Sequence, residues 1–274
     1  MKIDSHQHFW NYHPDRQEWI GPEMGRLKRD FLPEDLYPVL QASQIDGCIA
    51  VQAEEHLRET EFLLELSDSH PWILGVVGWV EVAQDNLDEL LDSWSQASKL
   101  LGFREILQSK EPEYLLRKEF VRGMQKLGSR GYTYDILTYP QQLPAALSLV
   151  DKCPNQRFVI DHLSKPDIKN GDWKAWKKSL QHFGERELVY AKMSGLVTEA
   201  DWKKWNTHEL YPYLEIALEI FGPKRLLFGS DWPVCLVAGE YNQVLEVIES
   251  FTNQLSTDEK EAILGETAQE FYSI

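Results

Sequence analysis

The chain has few cysteines and little positive charge. Its 274 residues include only three cysteines, Cys48, Cys153 and Cys235, which lie far apart and form no CxxC pair. This usage predicts free thiols in a reducing compartment rather than a disulfide framework. Lysine and arginine number 28 against 44 acidic residues, for a formal net charge of −16. Nucleic acids and anionic membranes bind basic surfaces, so we expect neither as a partner.

Long apolar runs are also absent. No stretch approaches the 18 apolar residues of a membrane-spanning helix, and Met1 leads directly into a strand-like segment without the pattern of a secretory leader. We therefore expect a cytoplasmic protein. Hydrophobic residues still make up 43% of the chain and aromatic residues 12%, which is enough for a sizeable core.

Eight short apolar runs alternate with longer segments of helical periodicity, an order typical of parallel βα units. Several helix candidates begin with proline or acidic residues, as at Pro33, Asp85 and Pro112, which suit a first helical turn. The sequence predicts an α/β protein with a single (β/α)8 TIM barrel over residues 1–274. The predicted strands are 2–8, 47–52, 73–80, 101–105, 132–136, 157–162, 189–193 and 226–229.

Two long irregular segments, 9–32 and 195–207, each follow a predicted strand. In a TIM barrel such segments lie at the carboxyl ends of the strands, where substrates bind. The first is rich in aromatic and basic residues, and Trp19 in particular is a candidate for stacking on a ligand. The alternative is that these side chains pack on the barrel rim.

The best candidates for chemistry lie at the two ends of the chain. His6 and His8 are two residues apart in the first predicted strand, so their side chains point to the same face. Asp231 follows the last predicted strand. Because strand ends meet at one edge of a barrel, these three residues predict a metal or reaction centre. Two solvated histidines near a chain terminus are the alternative.

The other predicted strands also end in polar side chains, which cost about 1 to 3 kcal/mol each if buried without partners. Such a set favours a polar functional cavity, although strand caps and structural salt bridges would produce the same pattern. The residues are Gln52, Arg104, Glu105, Tyr134, Asp135, Asp161, His162 and Lys192.

Five segments of the chain together resemble the amidohydrolase superfamily, in the group called amidohydrolase 2 and in its branch of sugar lactonases. They occur in the order and spacing that one barrel requires. The segments are 3–10 (IDSHQHFW), 102–105 (GFRE), 160–166 (IDHLSKP), 192–200 (KMSGLVTEA) and 227–234 (LFGSDWPV).

The resemblance implies catalytic roles for four residues. Asp231 matches the general base, which takes a proton from the attacking water and passes it to the leaving hydroxyl. His6 and His8 match the pair that binds a divalent ion in metal-dependent members, and His162 matches a histidine that polarises the substrate carbonyl or completes a metal site. For substrate binding we expect Arg104, as a clamp for a carboxylate or ring oxygen, together with Trp19, Asp135 and Lys192.

A binuclear metal site is not expected, because the fourth strand ends in Arg104 and Glu105 and the fifth in Tyr134 and Asp135. These are not the bridging lysine and histidine of binuclear members. Two alternatives are left open. One is a single divalent ion, zinc or manganese, held by His6, His8 and a carboxylate such as Asp231 or Glu105. The other is a metal-free reaction.

The resemblance implies hydrolysis of a sugar-derived lactone, of the L-fucono-, L-rhamnono- or L-galactonolactone type, to the aldonic acid. The partner would be this small molecule, and a homodimer is compatible with the sequence. The alternatives are a metal-dependent decarboxylase, a pyrone dicarboxylate lactonase and a barrel that only binds a ligand.

Overall fold

Residues 1–274 are described by a computed structural model. The chain forms one eight-stranded parallel sheet in which each strand pairs with the next along the chain. All eight predicted strands are present, and their ends differ from the predicted ones by two residues or fewer. The strands are β1 (Ile3–Gln7), β2 (Gly47–Val51), β3 (Ile73–Gly78), β4 (Leu100–Glu105), β5 (Thr133–Ile136), β6 (Phe158–Ile160), β7 (Val189–Met193) and β8 (Leu226–Phe228).

Helices connect the strands, and none combines the length and apolar character needed to cross a lipid bilayer. The segment predicted as one helix after Pro112 is divided, because Arg117 is extended, with ψ 139°, between a short 3₁₀ turn and α4. The α-helices are α1 (Pro33–Ala42), α2 (Leu57–Ser69), α3 (Leu87–Ser93), α4 (Lys118–Ser129), α5 (Leu143–Lys152), α6 (Lys174–Leu180), α7 (Thr207–Phe221), α8 (Tyr241–Thr252), α9 (Thr257–Glu261) and α10 (Thr267–Tyr272).

The sheet closes into a barrel where β1 meets the segment after β8. Gln7 forms a parallel bridge with Trp232, and the Asp231 amide donates to the His6 carbonyl oxygen at 2.8 Å. Beneath this junction the buried Asp4 carboxylate accepts hydrogen bonds from the Ser230 amide and hydroxyl. Barrel closure therefore brings the first and last strands, and with them His6 and Asp231, side by side. The predicted (β/α)8 barrel is confirmed.

The core has two layers. A large apolar cluster fills the space between the strands and the surrounding helices. A smaller cluster contains strand residues such as Ile3, Ile49 and Leu227, packed with Phe271 and Tyr272 of α10. The last helix thus contributes to this smaller cluster, and of the polar strand-end residues only Tyr134 belongs to either cluster.

Candidate active site

Barrel closure collects buried polar side chains from distant parts of the chain. His6 and His8 come from β1 and the residue after it, Arg104 from β4, His162 from the turn after β6 and Asp231 from the segment after β8. Each of these five residues is at most 4% exposed. The predicted convergence of the two chain ends is therefore present in the fold.

The two histidines of β1 face each other. His6 Nε2 and His8 Nε2 are 3.2 Å apart, and Asp231 Oδ1 lies 3.9 Å from the first and 3.5 Å from the second. His8 Nδ1 is 2.8 Å from the Val51 carbonyl oxygen, which can only accept, so this nitrogen carries the proton. His6 Nδ1 lies between Asp161 Oδ1 at 3.3 Å and the Lys192 ammonium at 3.1 Å, while Arg104 Nη1, which can only donate, lies 3.3 Å from His6 Nε2. His8 Nε2 therefore presents a lone pair toward Asp231, and His6 Nε2 is the acceptor that Arg104 faces.

Three electron-rich atoms directed at one point fit a divalent cation. Ligands of a tetrahedral zinc ion lie about 2.0–2.2 Å from the metal and hence roughly 3.3–3.5 Å from one another. The separations within His6, His8 and Asp231 run from 3.2 to 3.9 Å. A second group, His6, Asp161 and His162, has similar proximity but lies against the Lys192 ammonium, which is 3.2 Å from Asp161. Cations also approach the first group, with Arg104 Nη1 3.3 Å from His6 Nε2, but His8 and Asp231 of that group line the cavity described below, which makes it the better cation site.

Below these ligands lies a buried network of charges, which we call the floor network: His6, Arg104, Asp135, Asp161 and Lys192. Lys192 Nζ contacts Asp135, Asp161 Oδ1 at 3.2 Å and His6 Nδ1 at 3.1 Å, while Arg104 Nη1 donates to Asp161 Oδ2 at 3.0 Å. Two cations thus balance two carboxylates. Burial raises the pKa of Asp161, but Lys192, His6 and Arg104 outweigh it and hold the value well below the usual range.

His8, His162 and Asp231, which we call the pocket triad, line a cavity of about 140 Å³. Burial lowers the pKa of His162 to about 4, so the ring is neutral at pH 7. Burial alone would raise the pKa of Asp231. His162, His8 and His6 outweigh this effect and hold the carboxyl below its usual pKa, in the ionised form.

Trp19, Gln108 and Lys165 complete the polar and aromatic part of this cavity. Lys165 forms an ion pair with Glu199 at 3.5 Å. The side-chain oxygen of Gln108 is buried and has no hydrogen-bond partner. The apolar wall consists of Ala53, Ile106, Leu137 and Val234.

The structure separates the predicted site residues into two groups. Arg104 and Trp19 line the cavity, as expected for substrate contacts. Asp135 and Lys192 are fully buried in the floor network and do not line it, so their expected contact with substrate is not supported. Lys192 points into the barrel, where it contacts Asp135 and Asp161.

The prediction that Glu105 is a metal ligand has to be corrected. Its carboxylate accepts hydrogen bonds from the Val82 amide at 2.8 Å and the Tyr114 hydroxyl at 2.8 Å, and it belongs to neither potential metal group. Successive residues of a strand point to opposite faces, so when Arg104 points inward Glu105 points out. The structure therefore contradicts the expectation that Glu105 is a metal ligand.

Sequence reasoning assigned no role to Gln108, Lys165, Ser194 or Glu199, although each follows a predicted strand within a few residues. Their position just after a predicted strand is the sequence signal that could have identified them as candidates for the site. Conversely, three basic residues of the 9–32 loop, Arg16, Arg26 and Arg29, form ion pairs with acidic side chains outside the cavity.

The fold and site define an amidohydrolase-type barrel: two histidines from the first strand, one after the sixth and an aspartate after the eighth. Residues 3–274 match the family described as Amidohydrolase. The chain belongs to this family, and the resemblance seen in its motifs is confirmed.

Two curated relatives match over the whole chain. One, from Burkholderia multivorans, is an L-fucono-1,5-lactonase that is 38% identical over 100% of this chain and 96% of its own length. Another L-fucono-1,5-lactonase, from Burkholderia ambifaria, is 30% identical over 100% of this chain and 96% of its own. A crystal structure of an amidohydrolase from Burkholderia multivorans with bound zinc, 38% identical, has a TM-score of 0.97 and covers 100% of this chain and 99% of that one.

Proposed function

We propose that this protein hydrolyses a sugar-derived lactone, of the L-fucono-, L-rhamnono- or L-galactonolactone type, to its aldonic acid. The observation that carries the proposal is the pocket triad: an ionised aspartate, a neutral histidine and a second histidine on the wall of one small cavity. The two full-length relatives named L-fucono-1,5-lactonase support the substrate class.

Asp231 acts as the base. It accepts a proton from water while the water oxygen forms a bond to the lactone carbonyl carbon. When the ring C–O bond breaks, the proton passes from Asp231 to the departing ring oxygen. The product therefore carries one carboxylic acid group and one new hydroxyl group. His162 Nε2, 3.9 Å from Asp231 Oδ1, faces the carbonyl oxygen in this arrangement and stabilises its developing charge.

An ionised carboxylate with a low pKa is a weak base, so the attacking water must be acidified. His6, His8 and Asp231 would hold a single divalent ion, zinc or manganese, and the chemistry that such an ion supplies is a lowered pKa of water and positive charge near the carbonyl oxygen. The crystal structure of a 38% identical relative contains bound zinc, which supports a divalent ion here.

The charges of the cavity favour a neutral substrate. Its two cationic side chains are already paired, Arg104 with Asp161 at 3.0 Å and Lys165 with Glu199 at 3.5 Å. A pyrone dicarboxylate carries two negative charges, and binding it would require unpaired cations. A sugar lactone offers hydroxyl groups instead, which suit the unpartnered oxygen of Gln108 and the indole of Trp19.

The test is a pH-indicator assay of acid release from L-fuconolactone, L-rhamnonolactone, L-galactonolactone and a pyrone dicarboxylate, with and without added zinc or manganese. We expect hydrolysis of at least one sugar lactone and a fall of at least about 100-fold in Asp231→Asn, because the base is lost. If no lactone is hydrolysed and carbon dioxide is released from an aromatic acid, the protein is instead a decarboxylase.

A further inference from the structure

We propose that Ser194 is a positioning residue that holds His162 in the tautomer protonated on Nε2, so that His162 donates a hydrogen bond to the lactone carbonyl oxygen as negative charge develops there. This inference rests on the proposed lactone hydrolysis. It adds a role for a serine outside the cavity lining, which acts only through the histidine.

The contact between the two residues is short and buried. Ser194 directly follows β7 and is 1% exposed, and its Oγ lies 2.9 Å from His162 Nδ1. Neither atom has another hydrogen-bond partner. On the other side of the ring, Nε2 faces the cavity, and Asp231 Oδ1 at 3.9 Å is too distant for a hydrogen bond.

Hydrogen-bond accounting decides between the two tautomers. If His162 Nδ1 carried the proton and donated it to Ser194, the serine hydroxyl hydrogen would need a second acceptor, and none lies within bonding distance. A buried donor would then be unsatisfied, which is unfavourable. If Ser194 donates to an unprotonated Nδ1, one bond satisfies both groups, and the ring proton is then on Nε2.

The charge around the ring favours the same tautomer. The ionised Asp231 carboxylate lies on the Nε2 side, where an N–H dipole is attracted and a lone pair is repelled. An Nε2–H group is also the form that can donate to an oxyanion, whereas an Nε2 lone pair would repel it.

The backbone is shaped to permit this contact. Gly195 has φ +65°, and a Cβ there would lie 2.5 Å from His162 Nδ1. His162 itself has φ +53° and begins a run of four residues with positive φ that ends at Lys165. Non-glycine residues adopt this conformation at a cost. This backbone geometry brings the ring against Ser194.

The first experiment reads the tautomer directly, without substrate. Two-bond ¹H–¹⁵N correlation spectra of metal-free protein with ¹⁵N-labelled histidine distinguish Nδ1–H from Nε2–H, and His162→Asn identifies the signal. We expect Nε2–H in the wild type and a mixture of tautomers in Ser194→Ala. The inference would be overturned if His162 of the wild type is protonated on Nδ1, or if the spectrum is unchanged in Ser194→Ala.

Kinetics on a sugar lactone form the second readout. Loss of one oxyanion donor costs about 100- to 1,000-fold in kcat, so a partial loss of the correct tautomer should cost about 10-fold or more with KM nearly unchanged. Ser194→Thr keeps the hydroxyl and should recover most of the rate. Ser67→Ala, at a buried serine in α2, is the matched control and should change neither readout.

The two readouts separate the two proposals. An Nε2–H spectrum with no hydrolysis of any lactone would refute the proposed function but not the tautomer. Hydrolysis that is unaffected by Ser194→Ala, in a variant with a wild-type melting curve, would refute the role of Ser194 while lactone hydrolysis stands.

Discussion

The floor network and the pocket triad lie next to each other, yet they differ in how their charges are compensated. In the floor network, Arg104 and Lys192 lie 3.0 and 3.2 Å from the Asp161 carboxylate and Lys192 also contacts Asp135, although Asp161 Oδ1 and Arg104 Nε form no hydrogen bond. In the pocket triad, Asp231 Oδ1 lies 3.5 Å from His8 and 3.9 Å from His162. Close pairing of opposite charges compensates their burial, whereas the atoms of the triad, which lie 3.5 Å or more apart, are free to bind an ion, water or substrate.

Breaking the floor network should have the largest effect on stability. Lys192→Met removes a cation from between Asp135 and Asp161 and leaves buried negative charge uncompensated, which typically costs about 3–5 kcal/mol. We expect a lower unfolding midpoint in urea. Lys192→Met combined with Asp135→Asn removes one charge of each sign and should regain part of the loss. A midpoint equal to that of the wild type would show that the network contributes nothing to stability.

Removing one histidine of the pocket triad should affect metal binding more than stability. His8→Gln replaces an Nε2 lone pair directed toward Asp231, and we expect zinc affinity to fall about 100-fold or more, as measured by competition with a chelator. The unfolding midpoint of metal-free protein should change little. His56→Gln, at the start of α2, is the control and should retain zinc. Equal zinc binding by both variants would contradict the ligand set.

Gln108 tests whether the unpartnered atom in the cavity wall binds substrate. Gln108→Leu removes a buried acceptor, and loss of one hydrogen bond to a sugar hydroxyl corresponds to about 1 kcal/mol, or roughly fivefold in KM. We expect kcat to stay within about twofold, because Gln108 is outside the triad. Steady-state kinetics on the best lactone measure both constants, and an unchanged KM would exclude this contact.

Glu105 should show the smallest effect, and only as a function of pH. Burial raises its pKa to about 7, above the value of the unfolded chain, so its contribution to stability is present at low pH and is lost as the pH rises through about 7. Glu105→Gln does not ionise. Its melting temperature should therefore rise relative to that of the wild type between pH 5 and pH 8, by a few degrees.

Two comparisons check this interpretation of Glu105. Glu113→Gln, at an exposed neighbouring carboxylate, should follow the wild type at every pH. Activity and zinc content of Glu105→Gln should equal those of the wild type, because the side chain faces away from the cavity. A loss of zinc would restore Glu105 as a metal ligand.

Much of the fold could be predicted from sequence because strand-length apolar runs alternate regularly with helical periodicity. Boundaries were less accurate where the chain leaves regular geometry. The strand predicted over 157–162 ends at Ile160, since the next residues form a turn in which His162 and Leu163 are left-handed. Such a conformation depends on packing against Ser194 and Gly195, which are distant in sequence.

Strand periodicity and the order of βα units are local properties, so the barrel and the meeting of its two ends could be predicted from the sequence, and the motifs implied roles for the central residues. The surroundings of each polar side chain became known only from the folded chain. Glu105 and Lys192 both lie in strands that carry site residues, but one points outward and the other is enclosed by Asp135 and Asp161. The phase of a strand, and the partners that satisfy a buried charge, depend on contacts between residues far apart in the chain.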